Sequence, residues 1–289
     1  VRAADALIKA VADRGVDTVF GVPGGAALPL YDALAASPIR HVLTRHEAAA
    51  GHAAEGWARV SGRPGVALAT SGPGAVNLLT AVADAWMDSV PVVFICGQVA
   101  THLAGTMAFQ ETDVAGMAIP VVKHSSTARR GEDLGATFDA AFALASSGRP
   151  GPVLLEIPVD VAKSPAGADG RPPAVSARLP RPRSKTVGTA AELLERSIRP
   201  LVLAGGGVVA AEAHEQLLAF TRAADVPYVT TLHGLECGGG RGWLGMPGVY
   251  GTRVGNWALH QADCILAVGA RFDDRLTGRL DGFASRARV

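Results

Sequence analysis

The sequence predicts an α/β protein made of two doubly wound parallel-sheet domains, and three observations carry that expectation. Short, β-branched-rich runs alternate with segments of helical spacing, and the runs are almost wholly apolar, as strands covered on both faces must be. Glycine-rich turns recur where those runs end, in "GVPGG", "TSGPGA" and "CGQV". A Pro/Arg/Ser-rich stretch then separates two regions with the same pattern.

The first region, residues 1–163, offers six strand candidates in order: "DTVFGV", "HVLT", "GVALATS", "PVVFICGQ", "PVVKHSS" and "GPVLLEIPV". Between the early ones lie "GAALPLYDALAAS", "RHEAAAGHAAEGWARVSG" and "GAVNLLTAVADAWMDS", each with helical spacing. Parallel strands need such crossovers, and ligands in these sheets sit outside the carboxyl ends of the strands. The helix of "RHEAAAGHAAEGWAR" is peculiar in composition. It sets an acid, Glu47, at its start and follows it with alanine and glycine, a surface suited to close backbone approach. Residues 164–186 have neither periodicity and are expected to be an extended linker. The second region, 187–289, resumes with "RPLVLAGGG", a helix through "AEAHEQLLAFTRAAD", then "VPYVTTL" and "ADCILAVGARFDD".

At 289 residues the chain exceeds a typical single domain, and 48% hydrophobic against 18% charged residues suits two substantial cores. A net charge of +1 without a long basic run argues against nucleic acid or an anionic membrane as partner. The low-charge stretch "VALATSGPGAVNLLTAVA" is broken by Gly-Pro-Gly and reads as strand, turn and helix, not as a membrane span. Cys96, Cys237 and Cys264 form no CxxC pair, and two of them fall in apolar runs. Buried free thiols and a reducing, cytoplasmic setting are therefore expected. The chain opens within a helical pattern, has no signal peptide, and stops on "ASRARV"; a piece of a longer protein is expected.

Some stretches carry chemistry. Gly205-Gly206-Gly207, closing a strand and opening a helix, suit either a phosphate or flavin or an ordinary tight turn. "VGARFDDRLTG" places Arg271, Asp273, Asp274 and Arg275 after Gly269, which suits a dinucleotide or a solvated charge cluster. The acid pair has no histidine or further carboxylates beside it, so no metal ligands are assigned. His46, His52, His102 and His124 make no recognisable triad, and "MAFQETD" offers Phe109 and Gln110 in a loop.

Taken together, "VPGGAALPLYDAL", "RHEAAAGHAAEGWAR", "ATSGPGAVNLLT", "AWMDSVPVVFICGQV", "GTMAFQETD", "PVVKH", "SGRPGPVLLEIPVDV", "GTRVGN" and "GARFDDRLTG" resemble one family in order along almost the whole chain. It is the thiamine diphosphate-dependent acetolactate synthases (acetohydroxyacid synthase, large catalytic subunit). The resemblance implies a pyrimidine-binding domain at 1–163 and a Rossmann-like central FAD-binding domain at 187–289. The diphosphate-binding domain, with its Gly-Asp-Gly signature for Mg²⁺, has no counterpart here, so the fragment alone is expected to be inactive.

By the same resemblance, Glu47 is the catalytic acid that hydrogen-bonds the aminopyrimidine ring of thiamine diphosphate and gives the cofactor an internal base. Gly25 leaves room at the reacting centre. Pro23, Gly72 and Asn77 stand at cofactor-binding positions, Phe109 and Gln110 line the substrate pocket, and Lys123 lies near its entrance. Arg149, Gly205, Gly206, Gly207, Thr231, Leu232, Gly269, Arg271 and Asp273 match positions that hold FAD, which is chiefly structural in the family. The implied reaction decarboxylates pyruvate and adds the hydroxyethyl unit to a second 2-oxo acid, in branched-chain amino acid biosynthesis. A homodimer or tetramer and a small regulatory subunit are the implied partners.

The sequence departs from the family at Ala48 and Ala49, where Gln-Gly is usual, and at Ala100, Met107 and Tyr250, where Pro, Asp and His are usual. Two alternatives stand beside this reading. One is another thiamine diphosphate-dependent 2-oxo acid decarboxylase or oxidase, and the other is a non-catalytic, truncated binding protein.

Overall fold

The computed structural model describes residues 1–167 and 182–289. The chain divides into two compact units, Val1–Leu179 and Pro180–Val289. Most of the expected linker, 164–186, lies outside the described residues. Its described ends are ordered: Pro165 bridges Arg2, and a helix already begins at Ser184, once the prolines are past.

In the first unit the expected alternation is realised as α1 (Ala3–Asp13), β1 (Thr18–Gly21), α2 (Leu28–Ala35), β2 (Arg40–Leu43), α3 (Glu47–Ser61), β3 (Gly65–Ala69) and α4 (Pro73–Asp88). It continues as β4 (Val92–Gln98), α5 (Val114–Ala118), β5 (His124–Thr127), α6 (Leu134–Ser146), β6 (Val153–Pro158) and α7 (Val159–Lys163). Among the described residues the strands form one parallel sheet in the order β2-β1-β3-β4-β6-β5. The order reverses between β1 and β3, which opens the crevice where ligands of such sheets bind.

Strand residues alternate between two cores. Val66, Leu68, Val93, Ile95, Val153, Leu155 and Ile157 face a cluster with Leu7, Leu30, Leu34 and Phe138 of α1, α2 and α6. Their neighbours Ala67, Ala69, Phe94, Cys96 and Leu154 face the other way, onto Ala50, Ala54, Leu78 and Ala81 of α3 and α4. That second core is built largely of alanine, so the two helices lie close: a Cβ on Gly51 would collide with that of Ala81, and one on Gly65 with the Ala54 carbonyl. The small-residue surface of α3 is thus used against its own sheet and α4.

The second unit carries α8 (Ser184–Glu195), β7 (Pro200–Ala204), α9 (Gly206–Ala210), α10 (His214–Ala223), β8 (Tyr228–Thr230), α11 (Arg253–Gln261), β9 (Cys264–Val268) and α12 (Asp274–Thr277). Its strands are parallel in the order β8-β7-β9. Leu201, Leu203, Val229 and Ile265 pack with Leu259, Ala262 and Leu276, while Val202, Ala204 and Tyr228 pack with Val208, Leu217 and Cys237 on the opposite face. All three cysteines are free and buried, and burial pushes the Cys96 thiol well above its ordinary range. Among the described residues no helix is long and apolar enough to cross a membrane.

Candidate active site

Backbone bonds lace the carboxyl ends of β1, β2 and β3 together. Thr44 N–H donates to the Gly21 carbonyl at 3.2 Å, and Val22 N–H donates to the Leu68 carbonyl at 3.3 Å. Tyr31 Oη also donates to the Leu68 carbonyl, at 3.0 Å. Burial first, and then the charge of Glu47, push that phenol up, so it stays a donor.

His46 is extended and caps α3 by accepting the Ala48 N–H on Nδ1 at 3.1 Å, which makes Glu47 the first helical residue. Asn77 Nδ2, from the start of α4, donates to Glu47 Oε2 at 2.9 Å. Among the described residues Oε1 accepts no hydrogen bond; it lies 3.0 Å from where a Cβ on Gly74 would stand.

Adjacent glycines do different work here. A Cβ on Gly24 would meet the Thr70 side chain at 2.6 Å, whereas one on Gly25 would meet nothing within 4 Å. Gly72 has φ 56° and ψ −122°, and a Cβ there would meet the Gln110 carbonyl at 2.6 Å. The loop of Phe109 and Gln110 therefore closes directly on the turn before α4. Thr70 Oγ1, beside Gly24 and Gly74, is buried with no partner. One carboxylate oxygen without a donor, one orphaned hydroxyl and the open flank of Gly25 fit a planar ring that carries both donors and acceptors. So Pro23, Gly25, Glu47, Gly72, Asn77, Phe109 and Gln110 gather at one edge of the sheet.

Lys123, expected near the pocket entrance, is not brought there, and Arg149, expected among the FAD positions, is engaged within its own unit. Lys123 immediately precedes β5, at the amino edge of the sheet, opposite to Glu47. Its Nζ donates to the carbonyls of Leu144 and Ser147 and to Ser147 Oγ, sealing the end of α6. Arg149 donates to Ser89 Oγ at 2.7 Å and to the Trp86 carbonyl at 2.9 Å, with its guanidinium over the Trp86 ring.

In the second unit the expected positions do converge, at the carboxyl edge of β8-β7-β9. Gly205 N–H donates to Val268, Gly207 N–H to Gly269, and Thr231 N–H to Ala204, each at 2.9 Å. A Cβ on Gly207 would meet Gly269 Cα at 2.7 Å, and Gly269 itself has φ 60°. These glycines are thus required by loop-on-loop packing before any ligand is considered. Around them Leu232 and Phe272 are exposed, Gly206 adjoins His233, and Arg271 pairs with Asp273, which also caps α12.

Sequence reading missed the acids that hold the loop of Phe109 and Gln110: Glu111, Glu156 and Asp160. Only the position of Glu111 just beyond a glycine-led loop hinted at such a role. Thr70 was missed as well, because its orphaned hydroxyl follows from burial.

Two family models match the chain, in the order of its two units. Residues 1–117 match the thiamine pyrophosphate enzyme N-terminal TPP binding domain, and residues 187–289 match the thiamine pyrophosphate enzyme central domain. The chain belongs to the thiamine pyrophosphate enzymes.

Its similarity to particular members is close. It is 48% identical to the acetolactate synthase large subunit of Mycobacterium tuberculosis, over 99% of this chain and 47% of the relative. It is 45% identical to a probable acetolactate synthase large subunit of Methanocaldococcus jannaschii, over 100% of this chain and 50% of the relative. To the acetolactate synthase large subunit of Corynebacterium glutamicum it is 45% identical, over 99% and 47% respectively. The chain spans about half the length of the curated relatives it matches.

Proposed function

We propose that this chain supplies the pyrimidine side of an acetolactate synthase active site, which joins two 2-oxo acids after decarboxylating one of them. The observation that carries this is the Glu47 carboxylate, fixed through Oε2 by Asn77 and open at Oε1, beside the open flank of Gly25. Bound thiamine diphosphate supplies the nucleophilic carbon and the electron sink that decarboxylation needs.

The chain's own residues do the rest. Glu47 Oε1, the oxygen left without a donor, would hold or release a proton at the pyrimidine ring, and Asn77 keeps the carboxylate in one rotamer while this happens. Gly25 leaves space for the substrate carbons, and Pro23 and Gly72 shape the walls of the crevice. Phe109 and Gln110 present an apolar face and an amide to the 2-oxo acid, pyruvate as donor and pyruvate or 2-oxobutyrate as acceptor. No residue of the chain is assigned to Mg²⁺, which belongs with the diphosphate. FAD fits the carboxyl edge of the second unit, which Gly205, Gly206 and Thr231 hold together, where Gly207 and Gly269 are exposed and Leu232 offers apolar contact; Arg271 and Asp273 suit its polar chain. Lys123 and Arg149 are engaged elsewhere in their own unit, so in this reading any contact they make with substrate or flavin is made from another side, such as a second copy. A cytoplasmic homodimer or tetramer with a small regulatory subunit completes the proposal.

Product analysis tests it. The protein from its complete gene is incubated with pyruvate, thiamine diphosphate, Mg²⁺ and FAD beside Glu47→Gln. Acetolactate from the unmutated protein, lost in the variant, is expected. Acetaldehyde or acetate instead would move the chain to a decarboxylase or oxidase, and no product at all would favour a binding role.

A further inference from the structure

The loop that leaves β4 and carries Phe109 and Gln110 is tied at both stalks to one short stretch of chain. At its start, Asp160 accepts the Thr101 N–H at 3.0 Å and the Thr101 hydroxyl at 2.5 Å. At its end, Gln98 Nε2 donates to the Thr112 carbonyl at 2.8 Å and to Glu156 Oε1 at 3.1 Å. Glu156 is buried in β6, and its Oε2 accepts the Thr127 hydroxyl at 2.6 Å.

The stalks are pinned, but the segment between them has neither strand nor α-helix to hold it. It bends through positive φ at Gly105 (80°), Met107 (59°) and Gln110 (59°), a conformation that costs free energy for the last two. What closes it is Glu111. One carboxylate oxygen accepts the Gly105 N–H and the other the Ala108 N–H, at 3.1 Å for the latter. These backbone donors, Gly105 foremost, hold its carboxyl below the ordinary glutamate range. The carboxylate thus bridges two amides three residues apart and clamps the turn between them. Phe109 and Gln110 are the two residues between the last of those amides and Glu111 itself.

We propose that Glu111 is a positioning residue for the 2-oxo acid: by closing on the amides of Gly105 and Ala108 it sets the direction in which Phe109 and Gln110 face the crevice. The proposal rests on the reading of Phe109 and Gln110 as pocket residues. Glu111 touches no reacting atom; it acts through the loop.

The experiment compares Glu111→Gln and Glu111→Asp with the unmutated protein from the complete gene, by amide hydrogen exchange of residues 105–110 and by steady-state kinetics with pyruvate. Replacing a charged acceptor by a neutral one is expected to speed exchange across 105–110 about tenfold, and to raise the pyruvate KM by a similar factor. Exchange in β3 and β4, Tm and kcat stay close to their original values. Glu111→Asp keeps the charge on a shorter arm and falls between the other two in both measurements. Unchanged exchange at 105–110 in Glu111→Gln overturns the closure. Faster exchange with an unchanged KM, or KM values that do not follow exchange across the three proteins, overturns the positioning role and leaves the proposed reaction standing. Failure of the reaction itself is seen separately, as no acetolactate from the unmutated protein, and that result overturns both.

Discussion

Asn77 Nδ2 donates a 2.9 Å hydrogen bond to Oε2 of Glu47, joining the first turn of α3 to the first turns of α4. The bond leaves the carboxylate one lone oxygen and one direction in which to present it. Both helices start at the carboxyl edge of the sheet, one behind a histidine cap and the other behind a glycine–proline turn. Removing the amide frees the carboxylate to rotate, so Asn77→Ala should lower kcat/KM about tenfold to a hundredfold, in line with the worth of a bond to a charged group. Glu47→Gln, which changes the group that carries the proton, should cost far more in kcat. An Asn77→Ala enzyme with unaltered kinetics would show that the orientation of Glu47 is set elsewhere.

A second carboxylate on α3 is handled in the opposite way. Glu55 is 4% exposed; its Oε2 lies 2.7 Å from His52 Nδ1, and its Oε1 is buried with no partner. Desolvation pushes its carboxyl from an ordinary 4.5 up to about 7, against the pull of His52 and with a smaller push from Asp84. Between those two values the folded protein holds a proton that the unfolded chain releases, so this group's contribution to stability falls as pH rises from about 4.5 to about 7. Glu55→Gln removes that dependence. Its Tm relative to the unmutated protein should climb between pH 5 and pH 8 by a few degrees; a flat difference would mean that Glu55 titrates normally.

Lys123 should behave as a structural cation. Its amine closes the carbonyl end of α6 through Leu144 and Ser147. Lys123→Met leaves those carbonyls without their donor and should cost about 1–3 kcal/mol in urea denaturation. A Lys123→Met protein that keeps its stability yet shows a changed pyruvate KM would instead place this lysine at a substrate entrance.

Gly51 of α3 lies directly against Ala81 of α4. Alanine is the better helix former by about 1 kcal/mol, yet a methyl there would collide with Ala81 and come within 3.1 Å of the Phe94 ring. Overpacking of this kind costs about 1–3 kcal/mol, so Gly51→Ala should melt lower than the unmutated protein despite its propensity. A higher Tm would show that the two helices can move apart freely.

How far the sequence reveals this molecule depends on where each interaction is made. The strand runs around Ala67, Phe94 and Leu154 are legible because a strand covered on both faces has no polar face to show. The strand order is not, since nothing local to "PVVKHSS" says that β5 will sit beyond β6 at the edge. Glu47 stands out as an acid at the head of an alanine helix. Gly24 and Gly25 look identical on paper, and only the packing of Thr70 against the first tells them apart. Glu111, Glu156 and Asp160 are illegible for a related reason: their partners are mostly backbone groups and hydroxyls, which any residue order can offer. The start of α8 at Ser184 was hidden by the prolines just before it.

The tie between the loop and the β6–α7 junction also orders events during synthesis. Phe109 and Gln110 leave the ribosome before Glu156 and Asp160 exist, because the chain is made from its amino end. Until those two acids emerge, β4 has no partner on its far side, the first stalk of the loop lacks its anchor, and the second is held only by Gln98. The Glu47 side of the crevice can settle from residues up to β3 and α4 alone. A nascent chain paused between residues 113 and 156 would therefore present a finished acid and an unfinished loop, a half-built crevice that chaperones, and not substrate, would meet first.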